Sequence, residues 1–168
     1  MLLITPPVGP VVALPDLKAH CRVDHSDEDA VLVALEQAAV AYLDGWGGVL
    51  GRAIKPQTWR WEVDHWGDFL LPLLDVSAVT VTYFDAAGVE HPATTVTLRQ
   101  ASGRTVVAID GPDTDRIHID MTASLNPRYL PTVQMIVKLI VATWHDDRAA
   151  DIPPAAHSMI GSVRQVCV

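Results

Sequence analysis

The stretch LPTVQMIVKLIVATWHDDR, residues 130–148, constrains the fold more than any other part of the chain. Val133, Ile136, Val137, Ile140, Val141 and Trp144 recur at the spacing of one helical face, and Met135 and Leu139 carry the apolar surface beyond a single stripe. A helix this apolar has to be covered on more than one side, by other helices or by a neighbouring subunit. Pro131 suits its first turn, where a missing N–H has no helical partner to lose. HDDR makes a polar end, so the predicted helix spans 131–148.

Covering helices are predicted upstream. LPDLKAHCRVD reads as a short helix near 15–22, opened by Pro15, with Leu14, Leu17 and Cys21 on one side. A second helix is predicted near 27–45. Ser26 can cap its free amides, and Asp29 three residues on completes a capping box. Asp27 and Glu28 fall in the first turn, where the helix dipole favours negative charge by up to about 1 kcal/mol each. Leu32, Leu35, Ala39, Tyr42 and Leu43 follow at helical spacing, and Gly45 or the Gly47-Gly48 pair ends it.

Between residues 57 and 124 the periodicity changes to two. Trp59, Trp61 and Val63 alternate with Arg60, Glu62 and Asp64; Val79, Val81 and Tyr83 precede a turn at Asp85–Gly88. TVTLRQASGRTVVAID reads as two strands joined near Ser102-Gly103, and Ile117, Ile119 and Met121 point inward from a last strand. Five or six short strands with regular turns imply a small antiparallel sheet or sandwich.

The fold expected is therefore α+β: a small helical bundle (15–22, 27–45, 131–148) with an inserted antiparallel β-sheet module (57–124), within one domain spanning residues 1–168. Residues 1–13 are proline-punctuated and lack an early Lys or Arg, so they read as an extended arm rather than a signal peptide. Residues 151–168 read as a tail, detached by Pro153-Pro154. Met159, Ile160, Val163 and Val166 make its short apolar stripe beside Arg164. So few residues do not hold a helix in water alone, so the tail is expected to order only on a partner; the alternative is that it folds back on its own helices.

Composition narrows the function. Twelve Lys and Arg against 20 Asp and Glu give a net charge of −8, which disfavours a DNA-gripping surface. No apolar run is long enough to span a membrane. Cys21 and Cys167 form no CxxC pair, so reduced thiols in a cytosolic setting are expected.

Candidate sites are few. CRVDHSDEDA crowds a cysteine, a histidine and four carboxylates into residues 21–30, but a capped helix start accounts for most of them. The metal alternative needs the first helix to run on to residue 25, so that the pairs His20/Asp24 and Cys21/His25 project together. The His145-Asp146 dipeptide, with His20, His25 and His157, leaves a metal-dependent hydrolase as a further alternative. GWGGVLGR (45–52) follows a helix, whereas a phosphate-cradling loop opens one. Trp46, Trp59, Trp61 and Trp66 leave open a carbohydrate- or ligand-binding β-module of a virion component; core or interface aromatics are the plainer reading.

The order of segments resembles a known family. Leu14, Lys18, His20, Arg22, Val23 and Asp24 fit its L-x-x-x-K-x-H-L-R-V/I-D stretch. Asp27, Asp29 and Leu32 fit the opening of the next helix, and Ala38, Ala39, Tyr42, Leu43 and Asp44 its A-A-x-x-Y/W-L/I-E/D end. LPLLDVSAVTVTYFDAAG resembles the family's strand pair, and LPTVQMIVKLIVATWHDDRAA its closing helix. Cys21, Met135 and His145 depart from the usual leucine, alanine and aromatic. On these residues, from about 14 to 150, the chain resembles the phage head–tail connector (adaptor) proteins of long-tailed phages and gene transfer agents. The resemblance implies a structural subunit without catalytic residues, metal or cofactor, in a ring that is generally twelve-fold. The ring sits between the portal and the stopper or tail, at the head–tail junction of a virion or gene transfer agent particle, after assembly in the host cytoplasm. DNA passes through it without sequence-specific binding, which the negative net charge suits. The residues expected at its interfaces are Met135, Leu139, Trp144, Arg148, Met159, Ile160, Val163, Arg164 and Val166. The partner implied for the tail is the portal ring.

Overall fold

A computed structural model describes residues 1–101 and 104–164. The chain forms two compact units: a β unit from Met1–Pro7 and Lys55–Leu125, and a helical unit from Val8–Ile54 and Asn126–Val168.

The β unit contains β1 (Leu2–Thr5), β2 (Gln57–Val63), β3 (Gly67–Leu70), β4 (Val76–Phe84), β5 (Glu90–Pro92), β6 (Thr95–Ala101), β7 (Arg104–Asp110) and β8 (Ile117–Ala123). One antiparallel sheet has the order β1-β2-β8-β4-β5, and a second has the order β3-β7-β6. Strand β8 is central, so both its edges are hydrogen-bonded, to β2 and to β4. Trp61 and Val81 flank Ile119 in register, and Trp59 and Val79 flank Met121; Ile117, Ile119 and Met121 are fully buried. On the opposite face Arg60 makes a two-pronged ion pair with Asp120, both bonds 2.7 Å long. The alternation read from sequence is thus correct for β4 and β8.

The turn after β4 is fixed by Asp85. Its Oδ1 accepts from the amides of Ala87 and Val89, both at 2.9 Å, and its Oδ2 accepts from His91 Nε2 at 2.9 Å. Gly88 takes the left-handed φ of 79° that the turn requires. The hydrogen bond from His91, then those from the two amides, hold the Asp85 carboxyl below its ordinary value of 3.8. A carboxyl depressed on folding stabilises the fold above its unfolded pKa, and that contribution disappears as pH falls through the lower folded value. NMR titration of the Asp85 side-chain carboxyl is expected to give a midpoint below 3.8. The 85–91 amides should lose exchange protection over the same interval. A midpoint at or above the ordinary value would remove this account of the turn.

The helical unit contains α1 (Leu14–Cys21), α2 (Asp29–Leu43), α3 (Leu130–Asp146) and α4 (Pro154–Val163). Helix α3 packs against the other three. Its Val133, Ile136, Val137, Ile140 and Val141 are fully buried with Leu17, Leu32, Ala39 and Leu43.

Several expectations need correction. The picture of a small helical bundle with one inserted sheet is replaced by a mixed architecture. Among the described residues there are four α-helices and eight strands, and the strands form two antiparallel sheets. An α+β class remains compatible. Within the extended N-terminal arm, Leu2, Leu3 and Thr5 pair with β2, a pairing not expected from the sequence, because a short apolar segment satisfies its backbone best on an open sheet edge. The tail is not detached. Pro154 opens α4, which packs on α3 and whose Ala156, Ile160 and Val163 are buried. Contact with α3 supplies what a short helix lacks in water.

The capping box does not form either. Helix α2 starts at Asp29 with Glu28 at its cap and no side-chain capping bond. Asp29 instead accepts from Lys18 Nζ at 2.7 Å, an ion pair that competes for the same carboxylate. The turn expected at Ser102-Gly103 lies outside the described residues, although Ala101 and Arg104 pair on either side of it.

Candidate functional site

The residues expected at interfaces have different surroundings. Met135 is exposed and Leu139 half-buried on α3. Trp144 is half-buried, and its indole N–H donates to the Ala150 carbonyl at 3.1 Å, closing the turn that follows α3. Arg148 is exposed in that turn and Arg164 is exposed at the end of α4. Met159 is half-buried, while Ile160 and Val163 are spent on the core of their own unit. Val166, like Cys167, lies outside the described residues. Of these nine, Ile160 and Val163 are core, and the six other described residues are spread over α3, the following turn and α4 with its end.

A more coherent surface lies on α2. Ala30, Val33, Ala34, Gln37, Ala38, Ala41 and Tyr42 are exposed and follow one another at three- and four-residue steps. No charged residue interrupts this face along the helix. The opposite face carries Leu32, Ala39 and Leu43 into the core. The helix is apolar on two sides, which is unusual for a surface helix. Made mostly of alanine, this face gives a weaker hydropathy signal in the sequence than the stripe of α3.

The second residue missed from sequence is Glu36. It lies on the buried side of α2, only 4% exposed. Its Oε1 accepts from the amides of Val11 at 2.7 Å and Val12 at 3.2 Å. Gln134 of α3 donates to the Val11 carbonyl at 3.1 Å. Together they fasten the segment that leads into α1. Charge alone does not reveal such a role, because most helix glutamates face water.

The histidines and acids do not converge on a metal. Helix α1 stops at Cys21, where Arg22 turns left-handed with φ of 58°, so His20/Asp24 and Cys21/His25 do not share one helix. His145 Nε2 pairs with Glu28 Oε2 at 3.0 Å, joining the end of α3 to the start of α2. Burial, then the nearby Asp146 carboxylate, raises the Cys21 thiol pKa, so its reactive thiolate is disfavoured. Among the described residues no group of three or more His, Cys, Asp or Glu is arranged to hold a metal ion.

In the β unit an open cleft of about 460 Å³ is lined by Trp61, Glu62, Val63, Asp64, His65, Phe69, Asp115 and Arg116. The Trp61 and Phe69 rings meet edge to face, with centroids 5.5 Å apart. Phe69 also lies 5.1 Å from the His65 ring. His65 Nδ1 donates to Asp64 Oδ1 at 2.7 Å, and this bond holds the Asp64 carboxyl below the usual range. Arg116 is laid over Phe84, its guanidinium carbon 3.6 Å from the ring centroid. The tryptophans do not assemble a common groove there. Trp59 donates to Gln57 at 2.9 Å, Trp66 donates to the Pro112 carbonyl at 2.6 Å, and Trp46 belongs to the helical unit.

No helix among the described residues is long and apolar enough to cross a membrane. Compared with protein-family models and with curated proteins, the chain matches none.

Proposed function

We propose that this chain is the subunit of a head–tail connector ring, joining a portal to a stopper or tail and lengthening the path of the DNA. The observation that carries the reading is the ordered series of connector-like segments between residues 14 and 150. The uncharged exposed face of α2 supports it, since a surface of this kind suits burial against another subunit. In this reading the chain works by assembly rather than by chemistry. Its partners are further copies of itself, the portal and the stopper, within a virion or gene transfer agent particle. The ring contact is assigned to α2, in place of the buried Ile160 and Val163.

The test uses the full chain mixed with the portal protein of the same genome, followed by native mass spectrometry and electron microscopy. The expected result is a uniform ring bound at one end of the portal. An Ala34→Glu, Ala38→Glu variant adds charge only to the exposed face and should lose that ring without losing its thermal unfolding temperature. A chain that leaves the portal bare, or a variant that still forms complete rings, would overturn the assignment.

A further inference from the structure

The cleft of the β unit has a chemistry of its own. At about 460 Å³ it falls within the usual size of ligand sites, roughly 300–1,000 Å³. Its lining combines the Trp61 and Phe69 rings with the carboxylates of Asp64 and Asp115, while the Glu62 carboxylate, which alternates with Trp61 along β2, is engaged by His118 Nε2 at 3.2 Å. The cleft's cation, Arg116, is stacked on Phe84. Asp64 and Asp115 against one guanidinium leave the lining with an excess of negative charge.

We propose that this cleft receives a lysine or arginine side chain from a basic segment of a partner protein. The faces of aromatic rings attract cations through their quadrupole, Trp most strongly. Carboxylates beside them supply charge-assisted acceptors for an ammonium or a guanidinium. The same carboxylates repel phosphates and other anions. A neutral sugar would use the aromatic surface but gain little from the excess charge. The chain's net charge of −8 adds a longer-range pull on a basic partner. The cleft lies wholly in the β unit and does not depend on how the helical unit assembles.

The experiment titrates the ¹⁵N-labelled full chain with the blocked peptide acetyl-Gly-Arg-Gly-amide and with its neutral citrulline counterpart. The Trp61 indole N–H and the backbone amides around 61–69 and 115–116 report binding. Saturable shifts confined to these residues are expected with the arginine peptide, at least fivefold weaker with citrulline. The Asp64→Asn, Asp115→Asn variant should also bind at least fivefold more weakly. Both side chains are exposed, so the variant keeps its fold, which its unchanged amide spectrum elsewhere verifies. Equal binding of both peptides, undiminished binding by the variant, or no saturable shift would overturn the proposal. A response to cellotriose but not to the arginine peptide would also overturn it, in favour of a carbohydrate site.

Discussion

Replacing Glu36 with alanine is expected to lower the unfolding free energy by about 3 kcal/mol. The carboxylate accepts two amide hydrogen bonds, from Val11 and Val12, in a setting where Glu36 is 4% exposed. Hydrogen bonds to a charged group contribute about 1.5–3 kcal/mol each, and a buried donor left without an acceptor costs about 1–3 kcal/mol. Alanine removes the acceptor and leaves a small cavity beside Val12, so both terms act in one direction. Glutamine keeps a carbonyl oxygen at the same reach but gives up the charge, and should lose about half as much. Urea unfolding of the three proteins measures this. A Glu36→Ala protein within about 0.5 kcal/mol of the parent would mean that the 8–13 segment is not held by this carboxylate. Hydrogen exchange at Val11 and Val12 supplies a local check, because those two amides should lose protection first.

The second large effect concerns α4. An Ile160→Asp change is expected to destabilise the helical unit by about 4 kcal/mol, the combined cost of emptying an apolar site and of placing a charge there. Ile160 is 4% exposed, and its neighbours Ala156 and Val163 are at most 1% exposed. Truncation after Asp151 removes all three and bares the side of α3 that α4 covers. The truncated chain should melt at least 10 °C lower and self-associate. Differential scanning calorimetry and sedimentation velocity read the two consequences separately. A truncated protein that melts with the parent and stays dispersed would show that α4 is not part of the folded unit.

The parts of the fold legible in the sequence were those with one dominant period. Val133, Ile136, Val137, Ile140 and Val141 repeat at helical spacing, and all are buried, whereas Met135, off that stripe, is exposed. Ile117, Ile119 and Met121 alternate, and all are buried. Legibility failed where a segment's state depends on something distant in the chain. Leu2–Thr5 becomes a strand because β2 offers it an edge some fifty residues later. Pro154–Val163 holds as a helix because it packs on α3. The Ser26–Asp29 pattern was locally plausible, but Lys18 took the Asp29 carboxylate. Read within α2, Glu36 resembles any surface glutamate, and its role exists only through the two amides of another segment. The cleft was beyond reach for the same reason: Trp61, Phe69 and Asp115 belong to three separated stretches of sequence.

The route of the backbone has a practical consequence for dissecting this protein. The chain passes between its two units after Pro7, after Ile54 and again after Leu125. Neither unit is a single uninterrupted piece, so no one cut releases either of them. A gene fragment encoding 55–125 alone would lack Leu2–Thr5, leaving the outer row of amides and carbonyls of β2 without a strand. An uncapped edge of that kind recruits whatever extended peptide is at hand, including the same edge of another copy. An isolated β fragment is faithful to the parent only if residues 2–5 are grafted back, for instance through a circularly permuted junction that returns them beside β2.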